Sequence, residues 1–277
     1  MEITVGADPE LFITNKSGDN QSAYGIIPGT KQKPHPVDGG AVQVDGMALE
    51  FNIDPAHSED EFVNNINTVM AQLRDMVPKE YKFRIMPTAN FRPSVMDKQP
   101  PAAVELGCDP DFNAYTEAVN PAPPLQPYDK VRCAGGHVHI GWTQGQDVND
   151  TVHFNACAQL VRQLDYMLGV PMLYKCGRSS RTKWYGQPGA FRPKPYGVEY
   201  RVLSNKWIRG EDLMRLVYKL SVKSINLLID GTDLYRKYGG NANEVLHHGD
   251  KSAAHWLMSR CVEYEEYLDE LKGRKNS

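Results

Sequence analysis

The chain has 277 residues, 41% of them hydrophobic and 23% charged, with a net charge of −3. That length suits one large domain or two small ones, with ample material for a buried core. The charge gives no bulk attraction for nucleic acid or an anionic membrane surface, and no apolar run reaches bilayer-spanning length.

The opening MEITVGADPELF carries no basic region followed by an apolar stretch, so no secretion signal is expected. ITVG and ELFIT read as short strands interrupted by Asp8-Pro9. A turn-rich stretch follows over 15–40. AVQVDGMALEFNI reads as a hairpin around Asp45-Gly46, a strong turn signal. Ser58 stands three residues ahead of Glu61, a capping-box pattern. Phe62, Ile66, Val69, Met70, Leu73 and Val77 then recur at helical spacing, and Pro78 ends the helix.

YKFRIM (81–86) reads as a strand. Residues 87–130, rich in proline, read as a long ordered loop. VRCAGGHVHIGW is the next strand. A helix over 149–168 is expected, capped by Asn149 or Asp150. A basic, glycine-rich loop occupies 175–197, and GVEYRVLSNKW is a strand. Helical regions at 210–229 and 250–271 close the chain. Strands joined by hairpin-type turns and interleaved with helices favour an α+β fold with an antiparallel sheet.

The five cysteines (Cys108, Cys133, Cys157, Cys176, Cys261) are scattered, odd in number and without a Cys-x-x-Cys pair. Neither a zinc ribbon nor a disulfide framework is supported, and free thiols in a reducing cytoplasm are expected. GADPE (6–10) and GCDPD (107–111) share a Gly-x-Asp-Pro-acid pattern, too short to establish duplication.

Side chains alternate across a strand. Leu49, Phe51 and Ile53 share one face of their strand, with Ala48, Glu50 and Asn52 on the other. Val138 and Ile140 oppose His137 and His139. Val198, Tyr200 and Val202 oppose Glu199 and Arg201. For any one strand, the polar side reads as an ordinary wet face. Taken together, the three present residues that coordinate metals and bind phosphate, spaced by Gly135, Gly141 and Ala48. Glu10, leading its own strand after Asp8-Pro9, belongs beside them, although Asp8 is equally readable as a turn residue. Carboxylate with imidazole suits Mg²⁺, Mn²⁺ or Zn²⁺. A cupin centre is a poor fit, because Thr143 and Gln144 stand where its acid is needed.

The loop KCGRSSRTKWYGQPGAFRPKPYGVEYR concentrates Arg178, Arg181, Lys183, Arg192, Lys194 and Arg201. Arginines match phosphate oxygens with paired hydrogen bonds. The lysines read better as solvated surface. Cations held by carboxylates, with arginines around a triphosphate, are what nucleotide-dependent phosphoryl transfer requires. No P-loop or dinucleotide fingerprint is present, so a nucleotide would have to lie on the sheet itself.

GADPELF, DGMALEFN, GCDPDFNAY, GGHVHIG, GRSSR…YGQPGAFR and YGVEYR, in this order over residues 1–205, resemble the phage carboxylate–amine ligases of the COOH–NH2 ligase type 2 group, distant relatives of glutamine synthetase and glutamate–cysteine ligase. The resemblance implies a single ligase domain over 1–277. Its motif-bearing sheet core would be 1–205, and its helical C-terminal part 206–277. It implies a curved antiparallel sheet with helices on its outer face, whose polar face holds ATP and Mg²⁺ or Mn²⁺. Glu10, Glu50, His137 and Glu199 match metal ligands. His137, His139, Arg178, Arg181, Arg192 and Arg201 match nucleotide or phosphate contacts, and Arg201, Glu50 and Glu199 the catalytic set. The implied reaction is ATP-dependent amide formation through an acyl phosphate. Substrates would be a small-molecule or peptide carboxylate and an amine, in the cytoplasm (a host's, if phage-encoded), with no nucleic acid and no membrane partner. Asp8, Asp109 and Asp111 are candidates for the base. A small-molecule kinase of the same fold, a metal-dependent hydrolase on Glu50, His137, His139 and Glu199, and a non-catalytic nucleotide-binding component remain open.

Overall fold

The computed structural model describes residues 2–104, 111–126 and 129–273. The N-terminal segment forms β1 (Thr4–Thr14), β2 (Asn20–Gln21), β3 (His35–Val37), β4 (Gly40–Asp45) and β5 (Ala48–Ile53). The two short strands expected around Asp8-Pro9 are one strand. A residue before proline favours extended backbone, and β1 runs straight through Pro9 with Gly136 opposite. β4 and β5 form the expected hairpin, and Gly46 at its tip has φ +57.

Helix α1 (Glu59–Met76) starts where Ser58 accepts a hydrogen bond from the Glu61 N–H, and Glu61 in turn accepts from the His57 N–H at 2.7 Å. Strand β6 (Lys82–Arg84) is shorter than YKFRIM and pairs with β1. The proline-rich segment is more ordered than a loop. It contains β7 (Thr88–Asn90), α2 (Pro93–Met96), α3 (Pro101–Val104) and β8 (Phe112–Asn113). Its apolar residues Phe91, Met96, Ala103 and Val104 pack with Phe12, Met47 and Ala48 in a second, smaller core. VRCAGGHVHIGW divides into β9 (Val131–Cys133), paired with β7, and β10 (Gly136–Gly141), in the main sheet. The split follows from Gly135 and Gly136, where the chain passes close under other side chains.

Helix α4 (Thr151–Leu164) is capped by Asp150, which accepts from the N–H groups of Val152 and His153. It continues beyond the expected end through a π turn at Asp165–Gly169 into α5 (Val170–Cys176). Strands β11 (Ala190–Lys194) and β12 (Gly197–Tyr200) follow, with β12 ending earlier than GVEYRVLSNKW suggested. The C-terminal part holds α6 (Glu211–Ile229), α7 (Leu234–Tyr238), α8 (Asn241–His248), α9 (Lys251–Arg260) and α10 (Leu268–Lys272). Helices α7 and α8 were not anticipated. The expected 250–271 helix breaks at Cys261 into a 3-10 stretch (Val262–Tyr267) before α10.

The main sheet is antiparallel, in the order β3-β4-β5-β1-β10-β12-β11-β8. Leu49, Phe51, Ile53, Val138, Ile140, Val198 and Tyr200 line its apolar face. Phe62, Ile66, Leu160, Leu164 and Val217, from α1, α4 and α6, pack with them in the principal core. The fold is therefore α+β, with β1 at the centre of the sheet. Among the described residues no helix is long and apolar enough to cross a membrane.

Candidate active site

Paired residues on adjacent antiparallel strands put their side chains on the same face. In β1, Asp8 lies opposite His137 and Glu10 opposite Glu50. Glu199 lies opposite both His139 and Arg192, and Gln43 opposite Glu50. Six strands thus converge on one polar face. The 87–104 segment covers the end of that face beyond Glu10 through its packing on Phe12 and Ala48.

Glu199 stands at the basic side of this face and is 1% exposed. Its carboxylate contacts the Arg201 guanidinium, the Lys194 ammonium at 2.9 Å and Arg192 at 3.7 Å. Burial, the largest single effect, would raise its pKa, but the charges of Arg201, His139 and His137 together hold it well below the usual carboxylate range. Asp111 accepts from Arg201 Nε at 3.0 Å and orients the guanidinium. Lys194 is therefore paired within the site, not solvated surface as its sequence context suggested.

The histidines form a second layer. His137 Nδ1 lies 3.2 Å from Asp8 Oδ1, and its Nε2 accepts from Arg181 at 2.8 Å. Burial first, then the Arg201 charge, pushes the His137 pKa down to about 4, so the ring is neutral and can accept from a guanidinium. His139 Nε2 lies 3.2 Å from Asp8 Oδ2, and its Nδ1 is 2.5 Å from the Tyr196 hydroxyl. Burial, the largest single effect, lowers the His139 pKa, but the charge and hydrogen bond of Asp8 with the charge of Glu199 together raise it. Burial likewise raises Asp8, yet His139 and His137 bring it well below its ordinary value.

The glycines around these rings make room for them. A Cβ on Gly135 would lie 2.3 Å from His137 Nε2. One on Gly136 would lie 2.5 Å from Trp207 Nε1, which donates to the Gly136 carbonyl at 2.9 Å.

The opposite side is acidic. Glu10, Glu50 and Asp45 interact across β1, β5 and β4. Burial, then repulsion from Asp45, lifts Glu10 to about 7, while burial and the charges of Asp8, Asp45 and Glu10 raise Glu50 well above its usual value. Glu50 receives one hydrogen bond from Gln43 Nε2 at 2.6 Å, and Glu10 accepts one from the Gly135 N–H at 2.9 Å.

A cation fits between the two sides. Ligand atoms of Asp8, His139 and Glu199 all lie within 4.8 Å of one another. Asp8 Oδ1 and His139 Nε2 are buried with no hydrogen bond. Carboxylate oxygens suit Mg²⁺ or Mn²⁺, and the imidazole shifts the preference toward Mn²⁺ or Zn²⁺. A pocket of about 830 Å³ opens beside them, bordered by Asp8, Gln43, Glu50, His139, Trp142 and Tyr196.

Glu10, Glu50, His137, His139, Arg181, Arg192, Glu199 and Arg201 therefore share one face. His137 differs from a simple metal ligand, since its two ring nitrogens already face Asp8 and Arg181. Arg178 is apart from this group. It is exposed, lies against Gly249 and borders a different, small cavity with Cys176 and Leu246. Gln43 and Tyr196 were missed from sequence. Gln43 is signalled by its place on β4, two residues from the turn residue Asp45 and directly across from Glu50. Asp8, first readable as a turn residue, stands two residues before Glu10 and so shares its face. Asp109 lies outside the described residues.

On the sheet's other face a buried carboxyl supports β12. Asp165, in the π turn, accepts from Tyr200 at 2.6 Å and from Tyr115 at 2.9 Å. Burial pushes its pKa up to about 7.

Residues 113–227 match the family described as phage phiEco32-like COOH.NH2 ligase-type 2. No curated protein matches the chain in sequence. Among solved structures, a bifunctional glutathione synthetase from Pasteurella multocida aligns with 99% of this chain and 50% of its own, at 12% identity and a TM-score of 0.40. A glutamine synthase homolog aligns with 99% of this chain and 67% of its own, at 13% identity and a TM-score of 0.42. The chain thus spans half the length of the first of these proteins.

Proposed function

We propose that this chain is an ATP-dependent carboxylate–amine ligase. The similarity of residues 113–227 to the COOH.NH2 ligases supports the reaction class. The observation that carries the reading is the meeting of Asp8, His139 and Glu199 with Arg192, Lys194 and Arg201 on one sheet face. Carboxylates for a cation and guanidinium groups for phosphate oxygens then lie side by side.

In the overall reaction a substrate carboxylate oxygen bonds to the γ-phosphorus and ADP departs. The amine nitrogen then bonds to the acyl carbon, phosphate leaves, and the nitrogen gives up a proton. Mg²⁺ or Mn²⁺, when bound, neutralises phosphate charge. Asp8, His139 and Glu199 would hold one such cation, with Glu10 and Glu50 available to a second. Arg192, Lys194 and Arg201 would bind phosphate oxygens by exchanging part of their hold on Glu199. Arg181 keeps the His137 ring in place and, through its bond to the Arg201 carbonyl at 2.9 Å, ties the loop to the end of β12. The segment over Phe12 and Ala48 excludes water from the far end.

The test is ADP release with pooled amino acids and amines, with and without Mg²⁺ or Mn²⁺, followed by mass spectrometry of the product. Metal-dependent ADP with a new amide is expected. Glu50→Gln and Glu199→Gln should abolish ADP formation while each variant remains folded. Phosphorylated product without amide would instead indicate a kinase. The Asp8, His139 and Glu199 group also gives a metal-dependent hydrolase some support, and that reading requires turnover without ATP. Three cationic side chains around Glu199 weigh against it, because a hydrolase that uses no nucleotide leaves them without phosphate oxygens to bind.

A further inference from the structure

The 830 Å³ pocket has an unusual charge balance for a phosphate-handling protein. Among the described residues that border it, none is lysine or arginine. Its acids are Glu2, Asp8 and Glu50. Glu2 is paired with His57 at 3.0 Å, and Asp8 with the two site histidines. Glu50 faces Asp8, Asp45 and Glu10, and among the described residues its donor is the Gln43 amide.

Gln43 adds an independent observation. It is 6% exposed, its Nε2 is committed to Glu50, and its Oε1 is buried without a hydrogen-bond partner among the described residues. A buried carbonyl oxygen of this kind is costly unless a donor reaches it. Asn52, two residues along β5 from Glu50, borders the same pocket and offers a further acceptor. Ile53 and Pro55 border it as well and supply apolar surface for a short carbon chain.

We propose that this pocket receives the amine substrate as a primary alkylammonium ion, its N–H groups donating to Gln43 Oε1, the Glu50 carboxylate and the Asn52 side chain. This rests on the ligase reading and assigns one of its two substrates. The nucleotide phosphates then lie on the far side of Asp8, against Arg192, Lys194 and Arg201. The two reactants approach each other along the line from Glu50 to Glu199. A triphosphate inside the pocket would meet three acids and, among the described lining residues, no lysine or arginine, whereas an ammonium ion fills the unpaired acceptor.

Calorimetric titration without nucleotide separates this proposal from the ligase reading. The probes are putrescine and Nα-acetyl-lysine methylamide, with 1,4-butanediol as the uncharged control. Saturable binding of an amine and none of the diol is expected. Gln43→Leu and Asn52→Leu should each weaken the amine about tenfold, the worth of one hydrogen bond to a charged group. Asn52→Lys should suppress binding by supplying a tethered ammonium. Amine binding without ADP formation would leave this assignment standing and remove the ligase reading. The assignment is overturned if no amine saturates, if the diol binds equally, or if Gln43→Leu weakens a magnesium-bound non-hydrolysable ATP analogue instead. Stoichiometric displacement of the amine by Mn²⁺ alone would also overturn it, marking the Gln43 oxygen as a metal ligand.

Discussion

Replacing Gly135 with alanine should disable the polar face from a position that carries no functional group. The added Cβ would stand 2.3 Å from His137 Nε2 and 2.9 Å from both neighbouring ring carbons. The ring cannot swing aside, because it is 3% exposed and held by Arg181 on one nitrogen and Asp8 on the other. Overpacking of this kind costs about 1–3 kcal/mol. Loss of the Arg181 hydrogen bond, made by a charged donor, adds roughly 1.5–3 kcal/mol. Urea unfolding should therefore show a loss of about 2.5–6 kcal/mol, against little change for Gly210→Ala, whose Cβ would meet nothing within 4 Å. A double-mutant cycle with His137→Ala isolates the cause. Once the ring is gone, Gly135→Ala should cost little. If alanine costs as much in the His137→Ala background as in the native chain, the clash is not the reason for this glycine.

Asp165→Asn should flatten the pH dependence of stability. The folded-state pKa of Asp165 is raised from 3.8 to about 7, so its contribution is fully present below about pH 3.8 and is lost as pH rises through about 7. That loss is on the order of a few kcal/mol, and urea titrations between pH 4 and 8 should show native stability falling relative to the asparagine variant. Arg178→Ala should leave ADP formation unchanged, because the side chain lies against Gly249 and not on the polar face; a large drop in turnover would contradict that placement. Ser58→Ala should lower stability by about 1 kcal/mol through loss of the α1 cap, and an unchanged urea midpoint would show that the Glu61 side chain already suffices.

Much of the face was legible from alternation alone. A period of two assigns Glu50, His137, His139, Glu199 and Arg201 to the sides opposite Leu49, Val138 and Val198, and the core residues follow the same rule. What alternation cannot supply is register. Whether Glu199 faces His139 or His137 depends on long-range pairing: a two-residue shift would exchange them, and a one-residue slip would set Glu199 against an apolar neighbour. The roles of Gln43 and Asp8 depend on register in the same way. Arg178 and Arg181 look alike in sequence, three residues apart in a glycine-rich loop. They part because Gly186, at φ +68, leaves space for the Arg181 guanidinium: a Cβ there would overlap it. Helices α7 and α8 escaped notice because each is short, and a few turns of weakly amphipathic chain resemble a polar linker. Pro9 misled because a proline in the centre of a sheet is rare.

The position of β1 has a consequence for biosynthesis. Asp8 and Glu10 leave the ribosome well before the groups that offset Asp8, which arrive with His137 and His139, and Glu199 emerges some sixty residues later still. Until then the nascent N-terminal hairpin exposes a strand edge and a set of acids with nothing opposite. Long-range pairing of this sort slows folding and leaves such edges open to wrong partners. The architecture that concentrates reactive groups at the middle of the sheet thus delays their assembly until β12 has been made.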